Sequence, residues 1–108
     1  KTLISGSAVQ MEGQLSVLKS GLNNTFPCYE CIFPKTTEKA PITNCREAGI
    51  IGSITAFIAS MQVSEAIKEI ALLNYPSIAG YLILYDGFSQ SLDKIKITKK
   101  NNCLICSN

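Results

Sequence analysis

Five cysteines are the residues best able to do chemistry here. They fall as Cys28-x-x-Cys31, Cys45 alone and Cys103-x-x-Cys106. An odd count argues against a simple disulfide framework. Two Cys-x-x-Cys knuckles argue instead for a tetrahedral thiolate site, because each knuckle offers two sulfurs at the right bite. The chain has no histidine. That removes His-based metal sites, Ser–His nucleophiles and Cys–His dyads, and leaves proton transfer to Lys, Glu or Asp. A metal held by the knuckles is therefore held by Cys28, Cys31, Cys103 and Cys106. Four thiolates leave no open coordination position, so the role is structural. The competing reading makes either knuckle a redox dithiol. Cys103 lies 72 positions after Cys31, so the site would tie the two ends of a domain together. Loop-closure cost grows only logarithmically, so such a tie is feasible. Lys99 and Lys100 precede the second knuckle and could offset the negative charge of a zinc–thiolate centre.

Cys45 sits in Asn44-Cys45-Arg46-Glu47. If a helix starts there, Asn44 is its N-cap and Glu47 completes a capping box. The helix dipole and Arg46 would then both favour the Cys45 thiolate. Gly49 and Gly52 disfavour helix in the opening turns, so a start near Ser53 is the alternative. A free cysteine is also often a small buried hydrophobe. Asp86-Gly87 after an apolar run reads as a turn, with a metal or ribose ligand as the rival. Met11-Glu12-Gly13 has one carboxylate without an obvious partner. No glycine-rich phosphate loop is present in the chain.

The elements that must position these residues follow from periodicity. Thr2–Gln10 reads as a strand with Gly6 as a soft spot, and Gln14–Lys19 alternates as a half-exposed strand, with Met11–Gln14 connecting them. Gly21–Asn44 is irregular, and its stretch Pro34–Thr43 is a candidate functional loop. Ile50–Leu73 is the strongest helix. Its first half is apolar nearly all round, which marks a buried helix. Its second half places Val63, Ala66, Ile67, Ile70 and Leu73 on one face, with Gln62, Glu65, Lys68 and Glu69 on the other. Tyr81–Tyr85 reads as a fully buried strand, and Lys94–Thr98 as a strand with one wet face. Four strands cannot cover a helix that is apolar on every side, so the chain is a fragment or packs on a partner.

The 108 residues carry a net charge of +2, with 46% apolar and 17% charged side chains. That apolar content excludes a disordered tail, and so small a charge excludes a nucleic-acid-binding stripe. The longest greasy stretch, Ala48–Met61, is too short to span a bilayer. No signal peptide is visible after Lys1. Free thiols in metal knuckles belong to reducing compartments, so the expected location is the cytoplasm.

Six motifs in order resemble the C-terminal half of the MoeB/ThiF/HesA family, the bacterial adenylyltransferases related to ubiquitin-activating enzymes. They are Leu3-Ile4-Ser5-Gly6 through Met11-Glu12-Gly13-Gln14; Pro27-Cys28-Tyr29-Glu30-Cys31 through Pro34; Asn44-Cys45-Arg46-Glu47-Ala48-Gly49; Gln62-x-x-Glu65-Ala66-Ile67-Lys68; the strand to Tyr85-Asp86-Gly87; and Cys103-x-x-Cys106. They cover nearly the whole chain. The Asn-Cys-Arg form resembles the thiamine-pathway branch more than the molybdopterin-pathway branch. Where the family often opens its long helix with Gly-Pro, this chain has Gly52-Ser53.

The resemblance implies an α/β fold: the C-terminal part of a Rossmann-like ThiF-type domain, with mixed-sheet strands, one long buried helix and zinc knuckles. Residues 1–108 would form a partial domain lacking its N-terminal nucleotide-binding half. It implies structural Zn²⁺ on the two knuckles, with ATP and Mg²⁺ used only by the full-length enzyme. The implied activity is adenylation of the C-terminal glycine of a ubiquitin-like sulfur carrier, ahead of thiocarboxylate formation in thiamine or molybdopterin biosynthesis. In some members a cysteine at the position of Cys45 accepts the carrier in a persulfide or acyl-disulfide link, which makes Cys45 the candidate sulfur-transfer thiol. The implied partners are the carrier and a second copy, or a separate N-terminal chain. Neither nucleic acid nor a membrane is implied. A non-catalytic zinc-stabilised interaction module, or the product of a split or decaying gene, is the alternative.

Overall fold

The computed structural model describes residues 1–35, 49–71 and 74–107. Strands β1 (Leu3–Val9) and β2 (Glu12–Leu18) are followed by a single helical turn, α1 (Tyr29–Ile32). The long helix α2 (Gly52–Ile70) and strands β3 (Tyr81–Asp86) and β4 (Ser91–Lys96) complete the chain. The four strands form one antiparallel sheet in the order β1-β2-β3-β4. Parallel pairing, the other component of a mixed sheet, is confined among the described residues to one isolated bridge, Gln10 to Ile50.

The first hairpin turns at Gln10–Met11, where Gln10 takes a positive φ of 54°. Its register pairs Val9 with Glu12 and Leu3 with Leu18. Strand β2 therefore starts two residues before the alternation at Gln14 suggests. Strand β4 starts at Ser91 rather than Lys94, because Ser91, Leu92 and Asp93 already pair with Asp86, Tyr85 and Leu84. It is exposed along its whole length, and only Ile83 of β3 is buried. The YLILY run is thus half covered, not fully buried as its composition suggests.

Helix α2 lies across β1 and β2. Gly6 and Gly13 form the seat: a Cβ on Gly13 would stand 2.5 Å from Ile58 Cγ1, and one on Gly6 would stand 2.6 Å from Gln62 Cδ. Only hydrogen at these positions lets the helix approach so closely. Ile54 and Ile58 fill the seat with Leu15, Val17 and Ile83, and these make the core. Burying each isoleucine contributes roughly 1.5–3 kcal/mol.

The second half of α2 presents its polar side to the sheet, the reverse of what its pattern suggests. Gln62 Nε2 donates to the Ile4 carbonyl at 3.3 Å. Glu69 pairs with Lys19 at 2.6 Å and accepts from Thr2 Oγ1 at 3.2 Å. Glu65 is buried and pairs with Lys68. Val63, Ile67 and Ile70 point outward, 58%, 49% and 80% exposed. The phase is fixed by Ile54 and Ile58, and steps of three and four residues from them reach Gln62, Glu65 and Glu69. The helix is therefore buried along one stripe, and Val63, Ile67 and Ile70 are left exposed on its other side.

Candidate metal centre

The first knuckle is delivered by the turn after β2. Leu22 and Asn23 donate to the Lys19 carbonyl, and Asn23 Oδ1 accepts from the Thr25 amide at 2.9 Å. This reverses the chain and leads into Cys28, the extended N-cap of α1 with φ −95° and ψ 178°. Cys31 lies within that single turn, three residues on, so both sulfurs sit on one side. The rings of Tyr29 and Phe33 pack against each other across the turn, tilted by 44° at 5.0 Å between centroids.

The second knuckle is carried in by the tail after β4. Ile97 donates to the Gly80 carbonyl at 2.8 Å. Lys99 Nζ then donates to the Asn24 carbonyl at 2.8 Å and to Asn24 Oδ1 at 2.6 Å, tying the tail to the turn that carries the first knuckle. The Cys103 amide bonds the Lys100 carbonyl, and the Ser107 amide and hydroxyl both donate to the Cys103 carbonyl.

The four sulfurs meet. Cys28 lies 3.8 Å from Cys31 and 3.7 Å from Cys103, and Cys31 lies 3.5 Å from Cys106. All four sulfurs fall within 4.8 Å of one another and none is in a disulfide. Zinc–sulfur bonds of about 2.3 Å at tetrahedral corners put the sulfurs about 3.8 Å apart. The set therefore fits a thiophilic tetrahedral ion, and zinc matches both the size and the donor type. Two independent redox dithiols would not need these contacts between knuckles.

Electrostatics give the cluster one anionic corner. The backbone N–H groups of Cys106 and Ile105 hold the Cys103 thiol down at about 6. Burial pushes Cys31 up, but the N–H groups of Lys100 and Cys28 and the Cys106 thiol outweigh it, and Cys31 ends below the ordinary thiol value. Cys106 is pushed up to about 12 by burial and by the neighbouring sulfurs of Cys31, Cys28 and Cys103. Without a cation, charge gathers on Cys103 and the proton stays on Cys106. A divalent ion inverts this and favours four thiolates.

The remaining candidates separate cleanly. Asp86 accepts from the Phe88 amide at 3.0 Å and from Ser89 Oγ at 3.0 Å, so Asp86-Gly87 is a turn. Gly87 is required there, since a Cβ would stand 2.6 Å from the Met11 carbonyl oxygen. Cys45 lies outside the described residues. Helix α2 is capped by Ile51 and begins at Gly52, so Asn44 does not cap it and the start near Ser53 is the one observed. A cleft of about 310 Å³ on the sheet face away from α2 is lined by Glu12, Asp86 and Asp93. Three carboxylates there would repel a polyphosphate. Sequence reasoning missed the Lys99–Asn24 tie, for which a lysine and an asparagine 75 positions apart give no signal. It also missed the glycine seat, although a glycine inside a strand is a signal for close approach.

No helix among the described residues is long and apolar enough to cross a membrane. The model of the ThiF family matches residues 1–106. The chain is 44% identical over 110 residues to the adenylyltransferase and sulfurtransferase MOCS3 of Culex quinquefasciatus, covering 99% of this chain and 24% of that protein. The same-named protein of Aedes aegypti is 42% identical over 108 residues, again 99% of this chain and 24% of the relative. The chain thus spans about a quarter of the length of these relatives. The crystal structure of E. coli MccB with MccA-N7isoASN shares the fold, with a TM-score of 0.75 at 17% identity over all of this chain and 33% of that one. With the family model spanning residues 1–106, the chain belongs to the ThiF family.

Proposed function

We propose that this chain is part of an ATP-dependent adenylyltransferase that activates the C-terminal glycine of a ubiquitin-like sulfur carrier for thiocarboxylate formation. The observation that carries this reading is the 44% identity, over 99% of the chain, to a protein named for adenylyl and sulfur transfer. In it Cys28, Cys31, Cys103 and Cys106 hold Zn²⁺. The ion supplies charge neutralisation and a rigid tie, since no coordination position is left for substrate. Cys45 is the sulfur-transfer thiol, acting as a persulfide or as a nucleophile on the activated carrier. ATP and Mg²⁺ are bound by another part of the enzyme, supplied by a second copy, a separate N-terminal chain or a longer polypeptide. Thiamine and molybdopterin synthesis are both served by this chemistry, and a cytoplasmic setting suits four free thiols.

The carboxylate-lined cleft and the lack of a glycine-rich loop in the chain favour a second reading, a non-catalytic zinc-stabilised interaction module or a split or decaying gene product. ATP–pyrophosphate exchange separates the two. The chain alone should show none, and exchange should appear when an N-terminal adenylating chain and a carrier are added. Exchange by the chain alone would contradict the placement of the ATP site. Silence in every combination, with zinc bound, would leave the interaction module.

A further inference from the structure

We infer that the cleft between the turn before the first knuckle and the tail after β4 is a binding site for a small aryl phosphate monoester, a molecule of one flat ring and one doubly charged head. The cleft holds about 290 Å³. That is the small end of the range for ligand sites, so it takes one ring rather than a dinucleotide. Its lining divides by chemistry. Phe26 and Tyr81 supply aromatic surface, while Lys96, Thr98 and Lys99 supply donors. No carboxylate is among the lining residues. Two ammonium groups and a hydroxyl match a phosphate monoester, whose charge at neutral pH is about −1.5 to −2, better than a singly charged carboxylate.

The fold builds this arrangement from three local features. Strand alternation sorts the charge. Asp93 lines the cleft that Glu12 and Asp86 share, so Lys94 and Lys96 fall on the opposite face of β4. There Lys94 Nζ stands 4.3 Å from the centroid of the Tyr81 ring. The two ion pairs of the described residues use Lys19 and Lys68, which leaves the Lys96 ammonium to the cleft. Lys99 gives two of its three N–H groups to Asn24, and the third remains for an anion. The aromatic wall depends on Gly80. A Cβ there would stand 3.6 Å from Phe26 Cδ1, so any side chain at this position would cover the ring. The bond from the Ile97 amide to the Gly80 carbonyl fixes the tail beside it. Lysines on an exposed edge strand also discourage pairing with another sheet. That role asks only for exposure on β4, whereas Lys99 lies beyond the strand and lines the same cleft as Lys96.

The site is independent of the adenylation reading and of any metal on the thiols. The test is a titration of the isotope-labelled full chain with phenyl phosphate, followed by backbone amide chemical shifts. Inorganic phosphate and phenol serve as the two halves of the probe. Saturable shifts should gather at residues 25–27, 79–81 and 96–99. Phenyl phosphate should bind about tenfold or more tightly than either half, since ring and head contribute together. Lys96→Gln should weaken it by about tenfold or more, the effect of one charge-assisted hydrogen bond. Phe26→Leu keeps apolar volume but removes the flat ring, so it should weaken phenyl phosphate and leave inorganic phosphate unchanged. Lys100→Gln removes the same charge outside the cleft and should change neither. The amide spectrum of each variant shows that it is folded. Shifts that grow without saturation, or equal losses in Lys96→Gln and Lys100→Gln, mean general attraction to a basic edge and overturn the site. Inorganic phosphate binding as tightly as phenyl phosphate overturns the aromatic wall and with it the inference. No shift with millimolar probe overturns it outright.

Discussion

Cys103 and Cys106 are three residues apart, yet the backbone treats them in opposite ways. Cys103 faces the N–H groups of Ile105 and Cys106, which stabilise its thiolate, whereas Cys106 faces three other sulfurs. Such a set is stable only with a cation or with retained protons. Replacing Cys28, Cys31, Cys103 or Cys106 by serine should therefore lower metal affinity by more than about 100-fold, beyond the 10–100-fold typical of losing an outer partner. Cys45→Ser should leave it unchanged. Metal per chain by elemental analysis after dialysis checks this: about one for wild type and Cys45→Ser, well below one for the other four. The grouping of these four cysteines was legible in the sequence because the Cys-x-x-Cys bite is local and no histidine competes. The role of Lys99 was not. Its ammonium is held by Asn24, a neutral partner 75 positions away, and nothing in a linear sequence marks that pairing.

At the scale of elements, α2 is positioned by absences as much as by side chains. The methyl of Gly13→Ala would stand 2.5 Å from Ile58 Cγ1 and 2.6 Å from its Cδ1. Strand and helix must then part, which costs about 1–3 kcal/mol in overpacking. Ile58→Val should relieve part of that strain, so the double variant should be more stable than the sum of the two single effects implies. Chemical denaturation of the four proteins measures the coupling, and simple additivity would mean that the contact does not set the helix position. The far end of α2 is held by charge. Lys19, donating to Glu69, holds this carboxyl below its ordinary value of 4.5 despite burial, with Thr2 and Ser77 assisting. A depressed carboxyl stabilises the fold above its unfolded pKa and loses that contribution as pH falls through the folded value. Glu69→Gln should thus be less stable than wild type above about pH 4.5, by no more than about 1 kcal/mol because the pair is partly solvated. The gap should close at more acidic pH. Any acid-induced loss of metal is common to both proteins and cancels in the difference. Helix type and length were legible because apolar residues persist over five turns. The inward face was not, since the glycine seat on a distant hairpin sets the phase and overrides the amphipathic pattern of the second half.

At the scale of the whole molecule, the sheet and the helix make one body and the cysteine tail makes its clasp. Strand β4 is an exposed edge, and beyond it the chain is held by the Ile97–Gly80 bond, the Lys99–Asn24 pair and the four sulfurs. With β2, β3 and β4 already paired, the clasp has still to order the residues after β4 and before α1, at about 1–2 kcal/mol of backbone entropy for each residue fixed. One backbone bond and one exposed lysine pair, at about 1 kcal/mol each, do not offset that. Metal binding can, because the ion meets a site that the unfolded chain does not have. Removing the ion with a strong chelator should therefore act unevenly. Amide protection should be lost first over residues 97–107 and 22–33, where the knuckles sit. The β1–β2 hairpin under α2 should hold its protection longer, because Ile54, Ile58, Leu15 and Val17 pack there without the tail. Hydrogen exchange with and without chelator, read peptide by peptide, measures this, and added zinc should restore the first set. Uniform loss across the chain would show that the centre is part of the core rather than a clasp on it. No change anywhere would show that the hydrogen bonds of Lys99 and Ile97 hold the tail alone.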